Sequence, residues 1–414
     1  MNTTIEKAMA QTLRLFVLAA VGSCIPGFAA SEAHLPPSYQ VYSGSTHAHT
    51  VYTWSHGEQW AKTPAPRMSV MGAVSYPSTN NVAKANWQNV QGSPAAHYAL
   101  AKSSSYDFFT TTDHSQEAAL QPVSPTNAAW LDIKRAAAAA TGPRFVGLPG
   151  FEHSENNGPG GKGHLNIINS AEYLNALSSG VDLPCVYKWL KTARPNGEGP
   201  VVASFNHPGP RQYDDWAYRD PEVTDIVTML EVINSNKAQP ARYAAFLAAL
   251  DKGWKVAPVA GGDNHGFSGI RQHAARTFVL ASGLTKAALL DAMKHRRTYA
   301  ALEKNIQCRY TVNGAIMGST LDRPGEFKFD IVVSDPDTDD PKDKITKVDI
   351  VKDGGAIVQS YSPSPSYTVA WKAAINDSTN RYFFVRVWNA GGGDTPEADP
   401  AKPVAWLAPV WTGR

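Results

Sequence analysis

From Tyr39 to about Lys304, short runs of β-branched and aromatic residues alternate with longer segments of helical spacing. Tyr39–Ser45, Tyr106–Thr112, Phe145–Gly150, His164–Asn169, Val201–Asn206, Ile226–Leu230 and Lys255–Ala260 read as strands. Between them lie three clear helical patterns. Ala128–Thr141 is Ala-rich and stops at Gly142-Pro143. Ala241–Lys252 places Tyr243, Phe246, Leu247 and Leu250 at helical spacing, with Gly253 as a C-terminal stop. Thr285–Arg296 opens on a capping threonine and closes on a basic turn. This alternation predicts an α/β fold with a parallel sheet or barrel.

The pattern changes near Asn305. Tyr310–Val312, Phe327–Val333, Lys347–Val351, Tyr367–Trp371 and Tyr382–Trp388 read as strands separated by Gly, Pro, Asp and Asn clusters. Such spacing predicts a small antiparallel β-sandwich. We therefore divide the chain into 1–30, 31–305 and 306–414. Two insertions interrupt the first large segment. Trp60–Ala95 lacks periodicity and directly follows a histidine pair, as a lid or substrate loop would. Gly158–Gly163 is glycine-rich without the spacing of a phosphate-binding P-loop, and reads as a mobile loop near substrate.

Composition narrows the class. The 414 residues are 43% hydrophobic and 18% charged, with a formal net charge of +2. No global field favours a nucleic-acid partner. At the N-terminus, Lys7 and Arg14 precede the apolar run Leu15–Val21, which is too short to span a bilayer. Small residues follow, so 1–30 reads as an export signal with the mature chain starting near Ala30. Val21-Gly22-Ser23-Cys24 also resembles a lipoprotein box in which Cys24 would be lipidated. Both readings place the protein in the periplasm or outside the cell, with no transmembrane helix in the mature chain. Cys185 and Cys308 then either pair or stay as buried thiols; neither has metal-binding spacing.

Candidate chemistry gathers at the strand ends. Seven short motifs are His47-Ala48-His49, Asp113-His114, Glu152-His153, His164, His207, Glu231 and Asp263-Asn264-His265. Residues clustered at one end of many strands are how a barrel enzyme builds its site. Imidazole and carboxylate together suit Zn, Mn or Fe. Any one of these histidines alone would be a satisfied core or surface residue; their common placement is what points to metal. No Gly-x-Ser-x-Gly elbow and no His-Glu-x-x-His occurs. Arg211, four residues past His207, is either a phosphate clamp or a surface arginine, and Lys162 and Arg271 are weaker candidates of that type. His97, His153, His273 and His295 are read as non-ligands, although His153 adjoins Glu152 and is placed to reach substrate. In the C-terminal segment Asp335, Asp337, Asp339 and Asp340 share one turn. That run lacks the glycine and terminal Glu of an EF-hand and reads as a solvated turn before a calcium site.

The chain resembles the PHP (polymerase and histidinol phosphatase) superfamily from about Tyr39 to Asn305. The resemblance rests on His47-Ala48-His49-Thr50, Tyr106–His114, Gly150-Phe151-Glu152, Gly163-His164-Leu165-Asn166, Asn206-His207-Pro208 and Gly262-Asp263-Asn264-His265. Arg276-Thr277 and Arg296–Tyr299 resemble the tail of secreted members, and Ala405–Trp411 the Trp-rich strand of their C-terminal β-sandwich. The resemblance implies a distorted seven-stranded (β/α) barrel holding two or three divalent ions (Zn, Mn or Fe). It implies that His47, His49 and Asp263 hold the first ion, that Glu152 bridges to a second held by His164 and His207, and that His114 and His265 hold a third. His56, slightly late against the family pattern, would assist the third ion. Asp113 would be a ligand, an orienting group or a proton acceptor. Glu231 would support the site rather than react.

The implied activity is a metal-dependent phosphoesterase, on mono- or diesters, in which a metal-bridging hydroxide attacks phosphorus. The partner is then a small-molecule phosphate ester. The alternatives are an ester, amide or carbamate hydrolase of the same fold, and a non-catalytic secreted binding protein. For the last, Tyr367, Trp371, Trp388 and Trp411 would have to form a binding platform, whereas their pattern reads as core.

Overall fold

The structure, a computed structural model, describes residues 39–54, 57–59, 83–155, 162–322, 325–377 and 379–413. Residues 1–30, read above as an export signal, with Cys24, His56, most of the Trp60–Ala95 insertion and Asn156–Gly161 lie outside the described residues. No helix is long and apolar enough to cross a membrane among the described residues. Ala33–Arg414 forms one compact unit.

The site-bearing strands are β1 (Gln40–Ser45), β2 (Phe108–His114), β3 (Val146–Glu155), β4 (Gly163–Ile168), β5 (Val202–Asn206), β6 (Val227–Asn234), the two-residue β7 (Lys237–Ala238) and β8 (Ala257–Gly261). They are followed by β9 (Arg276–Ala281) and β10 (Thr298–Ala301). Around them lie α1 (Pro94–Ser103), α2 (Ala128–Ala140), α3 (Leu183–Leu190), the short turns α4 (Tyr213–Trp216) and α5 (Pro221–Thr224), α6 (Pro240–Asp251), α7 (Phe267–Gln272) and α8 (Lys286–Lys294). The threonine cap expected at Thr285 is present, and α2 has an asparagine cap of the same kind. Asn127 accepts from Trp130 N–H at the start of α2, and Thr285 accepts from Ala288 N–H at the start of α8.

β1–β2, β2–β3, β5–β6 and β6–β8 pair in parallel, as the alternating pattern requires. β4 departs from it. It runs antiparallel to both β3 and β5, with His164 opposite Ser154 and Asn206. The connection from Glu155 to Gly163 is too short for a parallel crossover, which needs a dozen or more residues. The reversal has a chemical consequence. His164 begins its strand, yet lies on the same rim as residues that end theirs. β9 and β10 are antiparallel too, on the far side of β1. Ala48 and Asn264 form a parallel bridge just past the ends of β1 and β8, and His49 N–H donates to Asn264 O at 2.8 Å.

The C-terminal strands are β11 (Gln307–Val312), β12 (Ala315–Ile316), β13 (Thr320–Leu321), β14 (Phe327–Ser334), β15 (Ile345–Lys352), β16 (Ile357–Tyr361), β17 (Thr368–Ile375), β18 (Tyr382–Asn389), β19 (Ala405–Leu407) and β20 (Val410–Thr412). β12-β11-β14-β17 form a separate antiparallel sheet. β14 and β17 alternate buried and exposed positions, the period-two pattern of a half-buried sheet. β15, β16, β18 and β20 belong instead to the large sheet, which reaches β10 through β19. Trp371, Trp388 and Trp411 are buried, as core residues are. Cys185 on α3 and Cys308 on β11 are free thiols, which settles the disulfide alternative against a pair.

Candidate metal centre

β1 ends at Ser45, and the chain then carries His47 and His49 across the rim. Both are fully buried. Each has its tautomer set by what stands behind it. His47 Nδ1 lies 2.8 Å from Glu231 Oε1, a carboxylate oxygen that accepts, so Nδ1 carries a proton. His49 Nδ1 lies 3.1 Å from Thr53 Oγ1. Thr53 already donates its own proton to Asp113 Oδ1 at 2.9 Å, so His49 Nδ1 is the donor to Thr53. Both Nε2 atoms therefore face inward, 3.0 Å apart and within hydrogen-bond distance of each other. Asp263 Oδ1 adds another acceptor 3.1 Å from His49 Nε2, and Glu152 Oε1 one 3.4 Å from His47 Nε2.

Glu152, in the interior of β3, is the hub of the other side. Its oxygens lie 2.9 Å from His114 Nδ1, 3.2 Å from His164 Nδ1 and 3.3 Å from His207 Nε2. Asn206 Nδ2 donates to Oε1 at 2.9 Å and Ser154 Oγ to Oε2 at 3.2 Å, which fixes the rotamer of the carboxylate. His265 completes the cluster: its ring stacks on His49 with centroids 4.1 Å apart. His49, His114 and His265 bring ligand atoms within 4.8 Å of one another; so do His47, His49 and Asp263, and so do His47, Glu152 and His207.

Electrostatics point the same way. Burial disfavours an imidazolium at His47, but Glu231, Asp263 and Glu152 outweigh it and raise its pKa well above the usual value. The potential there is strongly negative. His49 goes the other way: burial first, then His265 and His114, hold it well below the ordinary histidine range. Burial would raise Glu152, yet His47, His164 and His114 hold it well below the usual carboxylate range. Imidazole nitrogens and carboxylate oxygens gathered and buried in this way are a donor set that suits a divalent cation.

Strained backbone accompanies the ligands. His207 and Asp263 adopt left-handed conformations, at φ 29° and 48°. At Gly261 a β-carbon would lie 1.8 Å from Glu231 Oε1, so only glycine lets that carboxylate stand behind His47. Glu231 is otherwise fully occupied: Oε2 accepts from His207 N–H at 2.8 Å and Asn234 Nδ2 at 3.0 Å.

For Asp113 and Arg211 the surroundings bear on the alternatives that the sequence left open. Asp113 is buried, and its oxygens accept from Thr50 N–H (2.7 Å), Thr50 Oγ1 (2.8 Å), Thr53 N–H and Thr53 Oγ1 (both 2.9 Å). Four donors leave it no role as proton acceptor or ligand. It is a positioning residue that holds the Thr50–Thr53 turn and, through Thr53, the His49 ring. Arg211 is exposed in left-handed backbone (φ 62°), and among the described residues no hydrogen bond or ion pair ties it to the cluster. Lys162 pairs with Asp214, and Arg271 lies over the Phe267 ring. His153, next to Glu152 on an extended strand, takes the opposite face and is buried, which removes it from substrate. Thr53, Ser154 and Gly261 carry no sequence signature of their own; Asn206 was legible only as part of Asn206-His207-Pro208.

No family model and no curated protein matches the chain. Among solved structures it is similar to a two-domain protein from Bacteroides vulgatus containing a predicted PHP-like metal-dependent phosphoesterase. The identity is 14% and the TM-score 0.42, over 90% of this chain and 96% of that one. It is also similar to a candidate metal-dependent phosphoesterase from Bifidobacterium adolescentis, at 12% identity and a TM-score of 0.26, over 43% of this chain and 84% of that one. Likenesses this remote assign neither fold nor chemistry to this chain.

Proposed function

We propose that the chain is a metal-dependent hydrolase of PHP type, acting on phosphate esters. One observation carries the reading: the Nε2 atoms of His47 and His49 face each other 3.0 Å apart, with Asp263 and Glu152 oxygens beside them. The reading includes a distorted seven-stranded barrel of β1, β2, β3, β4, β5, β6 and β8, closed at the rim by the Ala48–Asn264 bridge.

In this reading His47, His49 and Asp263 hold one divalent ion, and Glu152 joins it to a second held by His207 and His164. His49, His114 and His265 are the donor set for a third. Bound there, such ions acidify water for attack on phosphorus and neutralise charge on the phosphoryl oxygens. The protein's own part is positioning. Glu231 and the Asp113–Thr53 pair fix the tautomers of His47 and His49, and Asn206 and Ser154 aim the Glu152 oxygens. With no activated Ser, Cys or Thr in the ligand set, no covalent enzyme intermediate is expected.

The test is elemental analysis paired with a panel of p-nitrophenyl phosphate, bis-p-nitrophenyl phosphate, a naphthyl ester and a naphthyl carbamate. We expect two or more transition-metal ions per chain and turnover of a phosphate ester. In ¹⁸O-labelled water, a single turnover then places one label in the phosphate. Fewer than one ion per chain after reconstitution with Zn, Mn and Fe overturns the metal reading. Carbamate or ester cleavage without phosphatase activity transfers the same site to the alternative chemistry.

A further inference from the structure

A second group of donors shares no residue with the histidine cluster. Glu303 follows β10, Asp335 and Asp337 follow β14, Asp343 precedes β15 and Asp394 lies between β18 and β19. Glu303, Asp343 and Asp394 bring carboxylate oxygens within 4.8 Å of one another, and so do Asp335, Asp337 and Asp343. Asp343 belongs to both sets. The expected solvated turn is therefore only half right: Asp337, Asp339 and Asp340 are exposed, but Asp335 is 3% and Asp343 5% exposed, beside Glu303 at 1%. No Lys, Arg or His forms an ion pair with Glu303, Asp335, Asp337, Asp343 or Asp394 among the described residues.

Two oxygens in this group point to a missing partner. Glu303 Oε2 and Asp335 Oδ2 are buried and accept no hydrogen bond. Asn305 Oδ1 is in the same position, while its Nδ2 donates to Asp337 Oδ2 at 2.9 Å. Buried carboxylates are normally paired, hydrogen-bonded or bound to metal. Here burial, then the neighbouring carboxylates, push Asp335 up to about 6, Asp343 to about 7 and Glu303 to about 10. Asn389 Oδ1 accepts from Gly392 and Gly393 N–H at 2.7 and 3.0 Å and so shapes the loop that presents Asp394.

We infer that Glu303, Asp335 and Asp343, with Asp337, Asp394 and Asn305 Oδ1, form a calcium site. Every donor is a hard oxygen, and no imidazole or thiolate is among them, which disfavours zinc. Calcium takes six to eight oxygens in flexible geometry, whereas magnesium demands near-ideal octahedral ligation and keeps waters. The ion ties the end of β10 to β14 of the separate sheet and to the β18–β19 connection. Its role is to fasten the C-terminal β-structure to the histidine-bearing sheet.

The test uses the full chain, loaded with transition metal except in Glu152→Gln, which is used as purified, and CaCl2 as the probe, with MgCl2 at equal ionic strength as control. Calorimetric titration and thermal melting are run on the wild type, Glu152→Gln, and the double variant Glu303→Gln/Asp335→Asn. We expect one Ca²⁺ per chain with Kd at or below about 1 mM, the range of extracellular calcium modules. Tm rises with Ca²⁺ in the wild type and in Glu152→Gln. The double variant loses the response, while its Tm without Ca²⁺ equals or exceeds that of the wild type because the repulsion is gone. Should the double variant not fold, Asp394→Asn, on an exposed residue, replaces it and weakens Ca²⁺ at least about tenfold. Absence of binding up to about 5 mM CaCl2 overturns the site. So does an equal response to MgCl2, retention of the response in the acidic-cluster variants, or its loss in Glu152→Gln.

Discussion

The histidine cluster and the carboxylate cluster handle buried charge in opposite ways. Around His47 and His49, imidazoles and carboxylates are mixed, and each inward donor is backed by a partner: Glu231 behind His47, Thr53 and Asp113 behind His49, Asn206 and Ser154 on Glu152. Around Asp343 there are carboxylates and one amide oxygen, with little behind them and three oxygens left bare. The difference teaches what each is built for. A chemical centre needs orientation to a fraction of an ångström, which outer hydrogen bonds supply. A structural cation needs only enough oxygens, and the ion itself organises them.

The most severe way to break this contrast is Glu152→Gln. It removes the carboxylate shared by His47, His114, His164 and His207, so metal content should collapse and kcat should fall by at least about 10³-fold. Full activity in this variant shows that the ligand assignment is wrong. Next comes the backing layer. Glu231→Gln, and Gly261→Ala which pushes Glu231 aside, should each cost about 10–100-fold in metal affinity or kcat while the fold is kept. If neither moves the metal dissociation constant, Glu231 does not orient His47.

Asp113→Asn addresses positioning alone. An amide cannot accept from all four donors, so we expect a loss of about 2–3 kcal/mol in denaturant unfolding, with metal stoichiometry retained below the transition. Unchanged stability with abolished turnover would return Asp113 to the chemistry. The carboxylate cluster gives a prediction in pH. Asp335 and Asp343 titrate at about 6 and about 7 in the fold, above the ordinary value of about 4. The folded state therefore holds protons that the unfolded chain releases. Their contribution is fully present below about pH 4 and is lost as pH rises toward about 7. Unfolding midpoints measured without calcium should fall across that window, less steeply in Asp335→Asn, and CaCl2 should restore them at the upper end. An identical slope in the variant removes the cluster from the account. The smallest effect is expected at Arg211, where Arg211→Ala should change kcat by no more than about twofold. A larger fall, with p-nitrophenyl phosphate as substrate, would show that the exposed loop closes on the phosphate.

The histidine cluster was legible because its ligands arrive in local packets. A strand followed by His-x-His, Asp-His, His-Pro or Asp-Asn-His is a pattern within a few residues, and parallel strands bring all such ends to one rim. The alternation of strand and helix, the helix caps and the change to β-structure near Asn305 were readable for the same reason, since each is set by near neighbours in the chain. The reversal of β4 was hidden, because it depends on the span of a loop rather than on any residue in the strand. The role of Asp113 was hidden too. The motif Asp113-His114 looks like a pair of ligands, and only the folded turn at Thr50–Thr53 shows that the aspartate faces four donors.

By itself, then, the sequence determined which metal-ligand residue types gather and the rim on which they sit, through residue type and period. Tertiary structure alone decided how buried charges meet. Glu303, the Asp335–Asp343 segment and Asp394 come from three separate stretches of the chain, yet Glu303, Asp335 and Asp343 are buried together. Glu231 reaches His47 across 184 residues because Gly261 leaves it room. Coulomb energy depends on distance through space and on the loss of water, and neither quantity is written along the chain.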